Sequence, residues 1–106
     1  MSEEDREAFD AKVLSLVLKR GKGEENATSV GDIAKVTETS GRGVRASVKR
    51  LRAGGHDIFI NEYSQVYTLN TWNEYKYQRD KYARTVKSNR RMISRLSEKM
   101  DGMKKK

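Results

Sequence analysis

The chain has 106 residues, with 23 basic and 15 acidic side chains and a formal net charge of +8. Cysteine is absent and the single histidine is His56, which argues against disulfides, thiolate metal sites and a histidine-based catalytic triad. No apolar run approaches the ~18 residues of a membrane helix and no signal-peptide pattern opens the chain, so the sequence reads as a soluble, cytoplasmic protein of one small domain plus an appendage.

Residues 3–19 are predicted to form an amphipathic helix. Ser2 can cap it, acidic residues fill its first turn, and Phe9, Val13, Leu16 and Val17 recur on one face. Leu14 and Leu18 lie off that stripe and call for cover on a second side. The glycines and charges of RGKGEEN, residues 20–26, mark a loop. Ser29 and Asp32 then open a short second helix, which holds Val30, Ile33 and Ala34 and fades near Val36.

The turn ETS places Ser40 as the cap of a third helix, whose apolar stripe is Val44, Val48 and Leu51. Gly54 and Gly55 end it. The runs DIFI and VYTL, separated by NEYSQ, predict a β-hairpin with Ile58, Ile60, Tyr67 and Leu69 facing inward. From Thr71 the pattern is helical to about Asp101, and the chain ends in KKK.

This order, and above all DIAKVTETSGRGVRASVKRLRAGGHDI at residues 32–58, resembles winged helix-turn-helix domains of the biotin-repressor type. Ile33-Ala34, Ser40, Val44, Leu51-Arg52, Gly55 and Ile58 occupy the places of the family's Ile-Ala pair, helix-opening serine, following valine, closing Leu-Arg segment, glycine and strand. Glu38 stands where the family commonly has a turn glycine, and Thr39 where it has an apolar residue. The resemblance covers about residues 5–70. It implies a mainly α fold with a small β-hairpin, residues 1–70 forming the winged helix-turn-helix domain, and a third helix that enters the DNA major groove.

Charge is unevenly distributed. Residues 1–70 hold 11 basic and 11 acidic side chains, whereas residues 71–106 hold 12 and 4 and so carry the whole excess. Within the neutral part, the first ten residues are acidic and residues 40–53 carry only positive charge. At helical spacing Arg42, Arg45 and Lys49 form one outward stripe opposite Val44, with Arg52 at its edge and Arg50 on the other flank. The candidate DNA-binding set is therefore Ser40, Gly41, Arg42, Gly43, Arg45, Ala46, Lys49, Arg50 and Arg52. An arginine fork can take guanine O6 and N7 together. Gly41 and Gly43 weaken the first turn by up to ~1 kcal/mol each relative to alanine, and admit close approach to a backbone or base edge. The bland alternative is an ordinary solvated face. The turn NEYSQ adds no lysine or arginine, so Tyr63 and His56 are read as ordinary surface and loop residues.

In residues 71–106, Trp72, Tyr75, Arg79, Tyr82, Val86, Asn89, Ile93, Leu96, Met100 and Met103 follow alternating spacings of three and four. That predicts a long C-terminal helix with a coiled-coil seam, burying Trp72, Tyr75, Tyr82, Val86, Asn89, Ile93, Leu96 and Met100 against a second copy. The positions flanking the seam carry no acid. The acidic first helix, with Leu14 and Leu18, is the expected complement.

The leading expectation is a homodimeric, sequence-specific double-stranded DNA-binding protein, a small transcriptional regulator or a viral or plasmid site-recognition protein. A protein-interaction or architectural module and an RNA-binding protein are the alternatives. No nucleophile signature, paired-carboxylate pattern or nucleotide-binding loop points to an enzyme. No cofactor, metal or small-molecule ligand is expected.

Overall fold

Four helices begin on a hydroxyl group that accepts a first-turn amide, which satisfies one of the donors a helix start leaves open. In a computed structural model that describes residues 2–84 and 90–104, Ser2 Oγ accepts from Asp5 N at 3.1 Å at the head of α1, Glu3–Lys19. Ser29 Oγ accepts from Asp32 N at 3.0 Å for α2, Val30–Val36. Ser40 Oγ accepts from Gly43 N at 3.1 Å for α3, Gly41–Ala53. The fourth, α4, Trp72–Ala83, has a full capping box: Thr71 Oγ1 accepts from Glu74 N, and Glu74 Oε1 accepts from Thr71 N at 3.0 Å.

The ends of α2 and α3 use the same device with different residues. After α2, Thr39 N donates to Ala34 O at 2.9 Å and Glu38 N to Lys35 O at 3.2 Å. After α3, His56 N donates to Leu51 O and Gly55 N to Arg52 O, both at 3.1 Å. Both patterns are Schellman motifs, which put the residue past the cap in the left-handed region. Gly55 takes that place at φ 102, and Glu38 takes it at φ 54. A side chain there costs ~1–2 kcal/mol that glycine avoids.

The chain divides into two compact units, Met1–Leu69 and Asn70–Lys106. The core of the first gathers Val13 and Val17 of α1, Val30, Ile33 and Ala34 of α2, and Val44, Val48 and Leu51 of α3. Ile58 of β2, Ile58–Ile60, and Val66 of β3, Gln65–Thr68, close it. Phe9, Leu14 and Leu16 pack against its edge, whereas Leu18 remains 43% exposed.

The sheet has three antiparallel strands in the order β1-β3-β2, where β1 is Thr28–Ser29. Thr28 pairs with Val66, Ile58 with Thr68, and Phe59 with Tyr67. Residues paired across a ladder share a face. Ile58, Ile60, Val66 and Thr68 therefore lie on one side, and Phe59 and Tyr67 on the other. The expected inward set of Ile58, Ile60, Tyr67 and Leu69 is corrected on its second strand by one residue, because the turn fixes register and each step of register reverses the face. The sequence pattern does not flag this shift, since Tyr67 and Leu69 are buried too.

The second unit corrects the long C-terminal helix. Instead of one helix from Thr71 to Asp101, α4 closes at Arg84, and a separate α5, Arg90–Lys104, packs against α4. Tyr75, Gln78, Leu96 and Met100 are buried within the chain. Part of the heptad stripe is thus covered where two helices of one chain meet. The described residues do not form the single continuous helix that the expected seam requires. Among the described residues the chain is mainly helical with a small antiparallel sheet, and no helix is long and apolar enough to cross a membrane.

Candidate functional site

The apolar stripe of α3 decides where its charges go. With Val44, Ser47, Val48 and Leu51 buried on one side, Arg42, Arg45, Ala46 and Lys49 are exposed on the other. Spacings of three and four put the three cations on one face. Among the described residues the side chains of Arg42 and Lys49 make no hydrogen bond or ion pair. Arg45 reaches across to the hairpin turn, where its guanidinium donates to Ser64 Oγ at 2.7 Å.

The two other arginines of the sequence-derived set are held inside the first unit. Arg50 Nε donates to Asp10 Oδ2 at 2.9 Å and its terminal nitrogen to Asp10 Oδ1 at 2.8 Å, a two-pronged clamp between α3 and α1. The Asp10 side chain is 13% exposed and that of Arg50 37%. Burial alone raises the Asp10 pKa, but the hydrogen bonds and charge of Arg50, together with Ser47 and the charge of Arg6, outweigh it and hold the carboxyl below its ordinary 3.8. Arg52 stands over the Phe59 ring at 5.0 Å from its centroid, a cation–π contact of about 0.5–1 kcal/mol.

Ser40 is the cap of α3, and the two glycines that follow face the turn. A Cβ at Gly43 would fall 2.8 Å from Thr39 Oγ1, and one at Gly41 would fall 3.4 Å from Val30 Cγ1. At Gly43 the missing side chain admits the Thr39 hydroxyl of the turn, a local reason for a glycine that composition alone relates to a ligand, whereas a Cβ at Gly41 would make only ordinary contact with α2.

The hairpin turn is built on Asn61. Its Oδ1 accepts from Tyr63 N at 2.9 Å and from Gln65 N at 3.1 Å, and Ser64 completes the turn at φ 57. Ser64 O also accepts from Val30 N at 2.9 Å, which ties the turn to the head of α2. Tyr63 stands 74% exposed on this fixed turn, and Val36 at the end of α2 is 58% exposed.

The residues expected at a dimer seam are dispersed. Leu14 is half-buried on the core and Leu18 is exposed. Tyr75, Leu96 and Met100 are buried, and Trp72, Tyr82 and Ile93 are half-buried. Val86 and Asn89 lie outside the described residues. Two features have no counterpart in the sequence pattern: the Asp10–Arg50 clamp, whose partners stand 40 positions apart, and the short strand β1. The one local hint of the clamp is that Arg50 falls on a different flank from Arg42 and Lys49.

Among the described residues no group of three or more His, Cys, Asp or Glu side chains is placed to hold a metal ion. Comparison with protein-family models, with curated proteins and with solved structures gave no match.

Proposed function

We propose that this chain binds double-stranded DNA in a sequence-specific way, as a winged helix-turn-helix domain that sets the outward face of α3 into the major groove. One observation carries the reading: Arg42 and Lys49 are exposed and free of acidic partners among the described residues, on the same face as Arg45. A solvated helix commonly mixes signs on its outer face, whereas unopposed arginines suit phosphates and guanine edges. The order α1-β1-α2-α3-β2-β3 and the sheet order β1-β3-β2 support the fold assignment, as does the left-handed Glu38 at the place of the family's turn glycine.

The interface is Arg42, Arg45 and Lys49, with Ser40, Gly41, Gly43 and Ala46 at the entry of α3. A transcriptional regulator, or a protein that marks a replication or packaging site, is the role such a module fills. It acts as a homodimer on a roughly palindromic site, with two α3 helices in successive grooves. The dimer surface is sought at Leu18 and on the outer faces of α4 and α5, because Tyr75, Leu96 and Met100 are already covered.

Selection from a random duplex library, followed by salt titration on selected and scrambled duplexes, tests this. A recovered palindrome bound at least ~1,000-fold more tightly than the scrambled duplex is expected. Equal, salt-sensitive binding to every duplex replaces the regulator with an architectural protein. A dilute-solution mass of one chain removes the homodimer.

A further inference from the structure

Net charge and candidate reading face reside in different units. Residues 1–69 carry as many acids as bases, while residues 70–106 carry 12 basic and 4 acidic side chains. Part of that excess is laid out on α4. A shallow groove of 320 Å³ is lined by Asn73, Lys76, Tyr77, Asp80, Lys81 and Arg84. Lys76 Nζ meets Asp80 Oδ2 at 3.0 Å, and Asp80 also takes Arg79 at 3.1 Å. Lys81 and Arg84 meet no acid among the described residues. Between them and Asn73 stands Tyr77, 63% exposed.

We infer that Tyr77, Lys81 and Arg84 form a second DNA surface, which holds the sugar-phosphate backbone of the duplex without reading its sequence. Residues three and four apart on a helix are neighbours, so the two cations and the ring present one continuous strip. The cations suit successive phosphates, and the ring supplies an apolar face for the sugars between them. A surface of this kind adds affinity that falls steeply with salt and is the same for every sequence. The inference rests on the DNA reading of α3 and divides its work: α3 discriminates, and α4 anchors.

The bland explanation is that cations at the end of a helix simply oppose its exposed carbonyls. Anisotropy of labelled duplexes across a range of KCl separates the two, using the full chain, Lys81→Gln with Arg84→Gln, Lys81→Arg with Arg84→Lys, and Tyr77→Ala. The Gln pair is expected to weaken binding to selected and scrambled duplexes by the same factor. It should also lower the slope of log K against log salt by ~1.8, or ~0.9 for each phosphate that is no longer neutralised. The charge-conserving pair keeps the slope, and Tyr77→Ala lowers affinity on both duplexes without changing it. An unchanged slope in the Gln pair overturns the inference, as does a loss confined to the selected duplex, or displacement of the duplex by poly-glutamate as readily as by unlabelled DNA. If α3 variants abolish discrimination while the Gln pair behaves as the unaltered chain, only the α4 surface falls. If the unaltered chain binds no duplex, both readings fall.

Discussion

On the two flanks of α3, Arg50 grips Asp10 at 2.8 Å and Arg52 lies over Phe59, while on the outer face Arg42 and Lys49 meet no acid among the described residues. The five cations of this one helix look alike in the sequence, yet they divide by the elements they face. Those beside α1 and β2 are drawn into the fold. Of those pointing away from the core, Arg42 and Lys49 keep their full capacity to meet an outside charge, and Arg45 commits one donor to Ser64. A count of positive residues therefore overstates an interface, and the residues without internal partners delimit it better.

Substitution on the two sides should separate affinity from stability. The largest effect is expected for Arg42→Ala with Arg45→Ala, which removes two contacts of about 1–3 kcal/mol each. Affinity for the selected duplex should fall ~30- to 20,000-fold, with little change in melting temperature. A loss of melting temperature in proportion to affinity would erase the contrast between the two faces.

Arg50→Ala should do the reverse. It strands the half-buried Asp10 carboxylate, so urea unfolding should show a loss of about 1–2 kcal/mol, moderated because Arg50 itself is partly in water. Duplex affinity measured well below the unfolding temperature should hardly change. A stable but non-binding Arg50 variant would return this arginine to the interface.

Acid offers a smaller and more selective probe of the same clamp. The Asp10 carboxyl titrates below its ordinary 3.8 in the folded chain. Its contribution is therefore complete above the unfolded carboxylate pKa and is lost as pH falls through the lower, folded value. Urea curves of the unaltered chain and Asp10→Asn should differ at pH 6 and converge toward pH 2. A constant difference over that range would show that the clamp's charge contributes nothing.

The smallest effect concerns the turn that delivers α3. Glu38→Gly should raise stability by about 1 kcal/mol by removing a side chain from the left-handed region while keeping both Schellman hydrogen bonds. A drop in stability would mean that the Glu38 side chain contributes more than its backbone strain takes away.

The parts of the fold legible in the sequence are those whose signals are local. Ser2, Ser29 and Ser40 each act within three residues of their own position, and Gly54-Gly55 stop α3 within the same turn. The outward position of Arg42, Arg45 and Lys49 follows from helical period alone. What the sequence hides depends on distant partners. Nothing near Arg50 announces Asp10, and a two-residue strand such as β1 has no period to detect. The stripe from Trp72 to Met103 is legible as apolar, but a heptad pattern does not say whether its complement is another molecule or the same chain after a turn. The residue order also leaves open which faces of β2 and β3 point to the core, because both faces carry large apolar groups.

The bond from Arg45 to Ser64 couples two things that would otherwise vary separately. Ser64 is tied to α2 through its carbonyl and to α3 through its hydroxyl, so the hairpin turn rests on both helices. A ligand that claims the Arg45 guanidinium removes one of these ties, and Tyr63 beside it gains freedom. The coupling is reciprocal: anything that fastens the turn more firmly to the fold leaves Arg45 freer to bind elsewhere only if it replaces that bond, and otherwise holds it back. Ligand strength at α3 and order in the turn are in this way one equilibrium read at two places.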